Sequence, residues 1–327
     1  MRHLDVPGSG PVPWSVIGLG TWQFGTREWG YGDALEAGRI VARARELGVT
    51  VFDTAELYGP LRSEVILGDA LRAAGGPGWR DEVVLATKFF PVLPLGPVLQ
   101  QRALASAARL GVSTLDLYQV HKPHPLLGDA SMMRGMAALQ RVGLVRAAGV
   151  SSYSTARWRA AEAALGGPVL SNQVEFSLLH RAPAGDLVAH AAAHDRIVMA
   201  YSPLAQGLLT GRYDATHRPT NAVRRTRAAW LPENLRALAP LLDTLRDVAS
   251  GHDATPSQIA LAWVVHHRNT VAIPGASSVA QLESNVAAAD IALTGDEHAG
   301  LAAAAARVRP TGGVRALGGM ARELLGG

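Results

Sequence analysis

Short apolar runs alternate with longer segments of helical periodicity along most of the chain. The runs predict buried strands at Val16–Gly20, Val49–Phe52, Val83–Thr87, Leu115–Val120, Val145–Val150, Val169–Gln173, Ile197–Ala200 and Val271–Ile273. The segments between them predict helices at 34–47, 63–74, 97–110, 130–141, 155–164, 184–194 and 256–267, and a last pair at 279–288 and 295–307. Before the first run, two short segments, Arg2–Val6 and Val12–Val16, flank a Pro- and Gly-containing turn and predict a β-hairpin over residues 2–16.

Strands that alternate with helices predict a parallel sheet, either an open doubly wound sheet or a (β/α)₈ barrel. Eight such units in about 270 residues match the usual size of the barrel. A dinucleotide-binding open sheet needs Gly-x-Gly-x-x-Gly after its first strand. Here Gln23 stands where the third glycine after Gly18 and Gly20 belongs. We therefore predict a single (β/α)₈ barrel domain over 1–327, with the hairpin at 2–16, the barrel at 17–290 and a C-terminal helix and tail at 291–327.

The composition fits this large core, since 48% of the 327 residues are hydrophobic and 18% are charged. The absence of cysteine excludes disulfides, thiolate chemistry and cysteine-ligated metal sites, and no metal centre is predicted. The N-terminus lacks the apolar core of a secretory signal, and no uncharged apolar run reaches the roughly 20 residues of a membrane helix. We expect a cytoplasmic protein with no membrane partner.

The basic balance, a net charge of +4, comes almost entirely from arginine, because Lys88 and Lys122 are the only lysines. Arginine-rich, lysine-poor composition is typical of GC-rich coding, so the charge is weak support for nucleic-acid binding. The densest arginine cluster lies between Arg212 and Arg227. It predicts either a solvated loop or a clamp over an anion. A nucleic-acid partner is not expected, because only Tyr213 and Trp230 offer stacking surfaces there.

Polar residues stand at the carboxyl end of each predicted strand, which is where barrel enzymes carry their chemistry. These residues are Thr21 and Trp22, Asp53, Lys88, His121, Ser151 and Ser152, Asn172 and Gln173, Tyr201 and Ser202, and Pro274 to Ser278. Three kinds of titratable group end three consecutive strands, and we expect them to converge on one rim of the barrel.

Asp53, Tyr58, Lys88 and His121 each have an ordinary structural explanation, as a helix cap, a packed ring, a snorkelling lysine and a core histidine. Together they complete one piece of chemistry. A phenol has a pKa near 10, and a neighbouring ammonium is expected to lower it, so that Tyr58 can act as a general acid. A buried ammonium needs an anion, which Asp53 supplies. His121 can hydrogen-bond a substrate oxygen.

The chain also resembles the aldo-keto reductases through eight motifs that run in order from the hairpin to about residue 290. They are Ile17–Trp22, Phe52–Gly59, Ala86–Lys88, Asp116–His121, Gly149–Tyr153, Asn172–Phe176, Tyr201–Leu204 and Ile273–Ser277.

The resemblance implies a (β/α)₈ barrel whose base is closed by the hairpin, and NADPH-dependent reduction of an aldehyde or ketone. It implies that Tyr58 is the proton donor, that Lys88 tunes its pKa, that Asp53 pairs with Lys88, and that His121 orients the carbonyl. The hydride would pass from C4 of the cofactor to the carbonyl carbon.

The same resemblance implies the cofactor site, in which Ser151, Ser152 and Gln173 hold the carboxamide, Tyr201 stacks on the nicotinamide ring and Arg212 meets the pyrophosphate. The full predicted set is Gly20, Thr21, Trp22, Asp53, Ser151, Ser152, Gln173, Tyr201, Ser202, Pro203, Leu204, Gln206, Gly207, Gly211, Arg212, Ile273, Pro274, Gly275, Ala276, Ser277, Gln281 and Asn285.

Two departures from the family pattern bear on the cofactor. Ser152 stands where the family has asparagine, and no basic residue follows Ala276 to pair with a 2′-phosphate. The hydroxyls of Ser277 and Ser278 can still receive a phosphate at a helix N-terminus. NADPH is expected, and NADH use is less excluded than is usual in the family.

The predicted substrate pocket consists of Trp22, Tyr58, Phe89 and His121, with further aromatic walls from the first loop, Phe24, Trp29 and Tyr31. Its substrate is a small-molecule carbonyl compound that the sequence does not specify. Two alternatives stay open at this point. One is a non-catalytic cofactor-binding regulatory subunit of the same fold, and the other is an isomerase or hydrolase barrel.

Overall fold

A computed structural model describes residues 1–25, 34–59, 61–219, 224 and 227–310. The described strands are β1 His3–Leu4, β2 Trp14–Ser15, β3 Leu19–Gly20, β4 Val51–Asp53, β5 Val84–Phe89, β6 Leu115–Val120, β7 Val145–Ser151, β8 Val169–Glu175, β9 Ile197–Tyr201 and β10 Thr270–Ala272. The described α-helices are α1 Ala34–Glu46, α2 Arg62–Gly75, α3 Gly96–Leu110, α4 Ala130–Arg141, α5 Thr155–Leu165, α6 Asp186–Ala193, α7 Pro232–Gly251, α8 Pro256–Val265, α9 Val279–Ala287 and α10 Gly295–Arg307.

The strands β3 to β10 pair in chain order, and every pair is parallel. The first and last strands also meet. Gly18 N donates to Ala272 O at 2.8 Å, and Ala272 N donates to Val16 O at 2.9 Å. These bonds close the sheet into a ring, which confirms the predicted (β/α)₈ barrel.

The hairpin β1–β2 closes the base of this ring, as predicted. The side chains of Val6, Val12 and Trp14 join the same buried cluster as the inward-facing Val51 and Val84 near the beginnings of β4 and β5. The backbone of the hairpin is tied to the barrel as well, since Ser15 N donates to Thr50 Oγ1 at 2.8 Å. The lower opening of the barrel is therefore filled by apolar side chains, and polar side chains are left to the opposite rim.

The sequence pattern missed one long helix. We predicted no helix between Tyr201 and residue 256, but α7 runs for 20 residues there and buries Leu235, Leu238, Leu242 and Leu245 at helical spacing. Pro240 interrupts the periodic stretch in sequence, yet it lies on the exposed face of the helix, where a lost backbone hydrogen bond can be replaced by water. No helix in the described ranges combines the length and apolarity required to cross a membrane.

Candidate active site

Asp53, Tyr58, Lys88 and His121 meet at the carboxyl ends of three adjacent strands. Asp53 ends β4, Lys88 is the fifth residue of β5, and His121 follows β6 directly. The fully buried ammonium of Lys88 donates to Asp53 Oδ2 at 2.6 Å, to Thr54 O at 2.7 Å and to Tyr58 Oη at 3.2 Å. The ammonium is thus held by one charge and one carbonyl and is directed at the phenol.

His121 is a second neighbour of the Tyr58 phenol. Its ring makes an edge contact with the ring of Tyr58, with the ring centroids 5.7 Å apart. The ring of Phe90 makes a second edge contact with His121 at the same centroid distance. The buried Nδ1 of His121 has no hydrogen-bond partner among the described residues. The imidazole is therefore positioned by ring packing next to a hydroxyl that Lys88 already holds.

Burial dominates the protonation states of this cluster. It raises the pKa of the Tyr58 phenol by more than Lys88 lowers it, so the net shift is upward. This corrects the sequence-based expectation that Lys88 brings the pKa of Tyr58 below its ordinary value.

The pKa values of Lys88 and His121 are set by the same competition between burial and neighbouring charges. Burial lowers the pKa of Lys88, but Asp53 and Tyr58 more than offset this, and the net pKa is raised. Burial, together with Lys88 and Lys122, lowers the pKa of His121 to about 3. Near neutral pH the site therefore contains a protonated phenol, a charged lysine and a neutral imidazole.

The second carboxylate oxygen of Asp53 is held by amides. Gln173 Nε2 donates to Asp53 Oδ1 at 2.7 Å, and Gln119 Nε2 lies 3.5 Å from the same oxygen. Ser171 Oγ in turn donates to Gln119 Oε1 at 3.4 Å. Gln119 was not among the residues predicted for the site. Strand alternation could have found it, because Gln119 lies two residues before His121 and so shares its inward face.

The ends of β7, β8 and β9 bring the predicted carboxamide-binding residues together. Ser151 is paired in register with Gln173, and Ser152 N donates to Gln173 O at 2.8 Å. Ser152 adopts a left-handed conformation (φ 61°), and burial raises the pKa of the neighbouring Tyr201 phenol. Asn172 points elsewhere, since its amide donates to Tyr153 O at 2.8 Å.

The loop after β9 has several residues with positive φ, and this backbone is relevant to whether the protein can bind the pyrophosphate of a dinucleotide. Successive amides in left-handed and turn conformations form concave surfaces that bind anions. Five residues within ten positions of this loop have positive φ, namely Ser202, Ala205, Gln206, Gly207 and Gly211. Such a loop fits a pyrophosphate. Arg212, predicted to meet the pyrophosphate, is exposed directly after the loop and packs over the Tyr213 ring at 5.7 Å.

The first and last loops of the barrel touch above β3 and β10. Gly20 N donates to Pro274 O at 3.1 Å, and a Cβ on Gly20 would lie 2.7 Å from Ile273 O. A Cβ on Gly275 would lie only 1.7 Å from Nε2 of Gln23. Gly20 is therefore needed for these two loops to approach each other this closely, whereas the obstacle at Gly275 would be the movable end of the Gln23 side chain.

The beginning of α9 contains the residues predicted to meet the adenosine part of the cofactor. Ser278 caps the helix by accepting from Gln281 N. Gln281 Oε1 accepts from Ser277 N at 2.8 Å and from Ser277 Oγ at 2.6 Å, and Asn285 Nδ2 donates to Gly275 O at 3.3 Å. The side-chain amides of Gln281 and Asn285 thus hydrogen-bond the loop between β10 and α9. Residues 277–281 include no basic side chain.

Several predicted residues lie in other surroundings. The Thr21 side chain is buried, and its hydroxyl hydrogen-bonds Asp53 O and Ser63 Oγ. Phe89 and Phe24 are buried in the layer between the sheet and the helices, whereas Phe90 contacts His121. Trp22 is 43% exposed. Trp29, Tyr31 and the tail from residue 311 lie outside the described residues.

Arginines of the cluster after β9 pack against the aromatic rings near them. Arg224 packs over the Trp230 ring at 5.8 Å, and its Nη1 lies 3.4 Å from Tyr213 Oη. The two rings that could stack on bases are thus contacted by arginines of the same chain. Among the described residues there is no cluster of three His, Asp or Glu side chains able to hold a metal ion.

Comparisons with known proteins agree with this geometry. Residues 16–306 match the Aldo/keto reductase family. An uncharacterized oxidoreductase of Mycobacterium tuberculosis is 54% identical over 99% of this chain and 98% of that protein. A chloroplastic pyridoxal reductase of Arabidopsis thaliana is 33% identical over 88% of this chain and 82% of its own length.

Solved structures give the same result. A glycerol dehydrogenase from Gluconobacter oxydans superimposes with a TM-score of 0.84 at 26% identity, covering 95% of this chain and 97% of that one. An aldo-keto reductase from Klebsiella pneumoniae, solved with NADPH, gives a TM-score of 0.70 at 30% identity, covering 92% and 94% of the two chains.

Proposed function

The chain belongs to the aldo/keto reductase family, and on this basis we propose that it reduces an aldehyde or ketone to an alcohol with NADPH, with Tyr58 as the proton donor. The observation that carries the proposal is the contact between the Lys88 ammonium and Tyr58 Oη at 3.2 Å, with the His121 ring packed against the same phenol. The coarser conclusion, that the protein is an oxidoreductase of this family, rests on the family match itself.

The proton that the carbonyl oxygen receives would come from a side chain of the protein itself. Tyr58 holds it at Oη at neutral pH, because burial keeps the phenol protonated. When the proton passes to the carbonyl oxygen, the phenolate that forms faces the Lys88 ammonium, which Asp53 and Thr54 O hold in place. The bound cofactor supplies the hydride for the carbonyl carbon.

His121 is suited to orient the carbonyl rather than to protonate it. With its pKa lowered to about 3, the imidazole stays neutral and can donate one hydrogen bond to the substrate oxygen. A charged imidazole beside the Lys88 ammonium would repel it. The neutral form avoids this repulsion and leaves proton transfer to Tyr58.

The cofactor is assigned to the other half of the rim. Ser151, Ser152 and Gln173 would hold the carboxamide and Tyr201 would stack on the ring. The positive-φ loop after β9 would cradle the pyrophosphate. Ser277 and Ser278 would receive a 2′-phosphate without a charge-assisted contact, so we expect NADPH to be preferred over NADH by a smaller margin than a basic residue would give.

The proposal agrees with the names of two relatives, a pyridoxal reductase and a glycerol dehydrogenase, which denote the two directions of a carbonyl–alcohol couple. The alternative of a non-catalytic subunit gains no support, since all four reactive side chains are in contact. An isomerase or hydrolase barrel gains none either, because the chain belongs to a family of oxidoreductases. A small-molecule substrate and a cytoplasmic location stay predictions.

Two measurements test the proposal. Fluorescence titration should detect NADPH binding at micromolar concentration. A panel of aldehydes and ketones, assayed with NADPH and with NADH, should show oxidation of the reduced cofactor in step with alcohol formation. If NADPH does not bind, or binds but reduces no compound of the panel, the proposed function is wrong.

A further inference from the structure

Three hydroxyl side chains are buried next to the Asp53–Lys88 pair. Thr21, Thr54 and Ser63 are all fully buried, and they come from three parts of the chain: the residue after β3, the residue after β4 and the first turn of α2. Ser63 Oγ lies 2.9 Å from Thr21 Oγ1 and 2.9 Å from Thr54 Oγ1. Ser63 is therefore the member that joins the other two.

The directions of these hydrogen bonds follow from the carbonyl groups that take part. A carbonyl oxygen only accepts, so Ser63 Oγ donates to Thr21 O at 2.9 Å, and Thr21 Oγ1 donates to Asp53 O at 3.0 Å. The proton in the contact between Thr54 and Ser63 is then the one that Thr54 supplies. The hydroxyls thus form a directed chain from Thr54 through Ser63 to Thr21. Ser63 is the acceptor on which Thr54 depends.

The backbone amide of Ser63 holds the segment that carries Tyr58. Ser63 N donates to Tyr58 O at 3.2 Å. Tyr58 N in turn donates to Ala55 O at 3.0 Å, so the chain turns tightly between Thr54 and Tyr58. Ser63 therefore ties both ends of this turn to helix α2, one end through its hydroxyl and the other through its amide.

Both ends of the turn also contact the Lys88 ammonium. Thr54 O accepts from Lys88 Nζ at 2.7 Å, and Tyr58 Oη lies 3.2 Å from the same nitrogen. Without the Ser63 hydroxyl, the buried Thr54 hydroxyl would lose its acceptor, which is unfavourable, and Thr54 would have to rearrange to find another. Such a rearrangement would move an acceptor of the ammonium relative to the phenol.

We propose that Ser63 is a positioning residue for the proton transfer, which holds the turn from Thr54 to Tyr58 so that the Lys88 ammonium and the Tyr58 phenol stay in contact. The inference rests on the proposed function and adds a residue to it. Ser63 is fully buried, so it acts through Thr54 and Tyr58 and not on the substrate itself. A small misplacement of reacting groups lowers the rate of the chemical step, so the loss of this anchor should affect kcat more than cofactor affinity.

The test is the kcat of the full-length protein with NADPH and the aldehyde or ketone that the wild type reduces fastest. Ser63→Ala should lower kcat about 10- to 100-fold, while the Kd for NADPH from fluorescence titration changes less than about twofold. Thr54→Val removes the donor hydroxyl at nearly constant shape and should lower kcat similarly, whereas Thr54→Ser keeps the hydroxyl and should retain most of kcat. Because the two hydroxyls act as one chain, combining Ser63→Ala with Thr54→Val should cost much less than the product of the single losses.

Ser106→Ala is the matched control for the loss of a buried hydroxyl. Ser106 is a fully buried serine of helix α3, and its hydroxyl accepts from Arg109 Nη2 of the same helix at 3.1 Å. Ser106→Ala should lower Tm, as Ser63→Ala does, but should leave kcat unchanged. If Ser63→Ala does not fold, the comparison of Thr54→Val with Thr54→Ser decides.

The outcomes separate the inference from the proposed function. If the wild type reduces a carbonyl compound and Ser63→Ala or Thr54→Val keeps the wild-type kcat, the inference is overturned. It is also overturned if Ser106→Ala loses as much kcat as Ser63→Ala, or if Thr54→Ser loses as much as Thr54→Val. If the wild type reduces no carbonyl compound with NADPH, the proposed function fails first, and the inference fails with it.

Discussion

Gln173 Nε2 donates a 2.7 Å hydrogen bond to Asp53 Oδ1, across 120 residues of sequence. The other oxygen of the same carboxylate accepts from Lys88 at 2.6 Å. Asp53 therefore connects the amide predicted to hold the cofactor with the lysine that contacts the proposed proton donor, Tyr58. A residue predicted for the cofactor half of the rim thus helps to position the side chains proposed for proton transfer.

This connection predicts two effects from one substitution. Gln173→Leu keeps the approximate size of the side chain but removes the donor to Asp53, so kcat should fall and the KM for NADPH should rise. Gln119→Leu is the matched comparison, because its amide lies 3.5 Å from the same oxygen and its removal should cost less. Steady-state kinetics with NADPH as the varied substrate distinguishes the two. Equal effects on both parameters in both variants would contradict the distinct role of Gln173.

The Asp53–Lys88 pair should behave as a coupled unit in stability. Both side chains are buried, so Asp53→Asn or Lys88→Met alone leaves an uncompensated charge and should cost about 3–5 kcal/mol of unfolding free energy. The double variant removes both charges and should recover much of that loss while remaining inactive. Urea unfolding of the four proteins gives the coupling energy. Strict additivity of the two single losses would show that the pair does not act as described.

His121 should make stability depend on pH. Its pKa is lowered from 6.5 to about 3, so between these values the unfolded chain binds more protons at this site than the folded chain. The stabilisation is complete above 6.5 and is lost as the pH falls toward 3.

The measurement is Tm at about pH 7 and about pH 4.5 for the wild type and His121→Gln. The variant should lose less Tm on acidification than the wild type, while the exposed control His217→Gln should follow the wild type. An equal loss in all three proteins would mean that His121 is readily protonated in the folded state.

Gly275 should be required for cofactor binding more than for folding. A Cβ at this position would lie 1.7 Å from Nε2 of Gln23, which is the far end of a flexible side chain and can move. Gly275→Ala should therefore change Tm little but raise the KM for NADPH about tenfold, because the displaced Gln23 side chain would intrude on the predicted cofactor site. The double variant Gly275→Ala with Gln23→Ser should recover most of the affinity. A failure to recover would show that the contact with Gln23 is not the cause.

The sequence predicts the bounds of helices well where the apolar periodicity is regular. The helix predicted at 130–141 coincides with α4, and the helix predicted at 295–307 coincides with α10, which begins with a capping box at Thr294. Helix α7 was missed because Pro240 makes its periodicity resemble a break, and only the structure shows that this proline faces solvent. Apolar periodicity and helix-breaking residues indicate where helices lie, but they do not show which face of a helix a proline occupies.

The candidate site was predictable in its residues but not in its energetics. Alternation along the strands and the strand-end rule suffice to bring Asp53, Lys88 and His121 to one rim. The prediction that the pKa of Tyr58 is lowered was wrong. The direction of the shift depends on whether burial raises the pKa more than the charge of Lys88 lowers it, and the burial of Tyr58 depends on the whole fold. The contact between Gln173 and Asp53 was not predicted for a similar reason, since it depends on the closure of the barrel.

The central claim is that Tyr58 donates the proton in a carbonyl reduction. Its most direct test is the single-turnover rate of aldehyde reduction by NADPH in the wild type, Tyr58→Phe and Tyr118→Phe, with NADPH affinity measured in parallel. Tyr118 is a matched control, because its phenol is buried and its hydroxyl has no hydrogen-bond partner among the described residues. Tyr58→Phe should lower the rate by about 10²- to 10⁴-fold while NADPH affinity stays nearly unchanged, and Tyr118→Phe should alter neither. A Tyr58→Phe protein that binds NADPH and reduces the aldehyde at the wild-type rate would contradict the assignment of Tyr58.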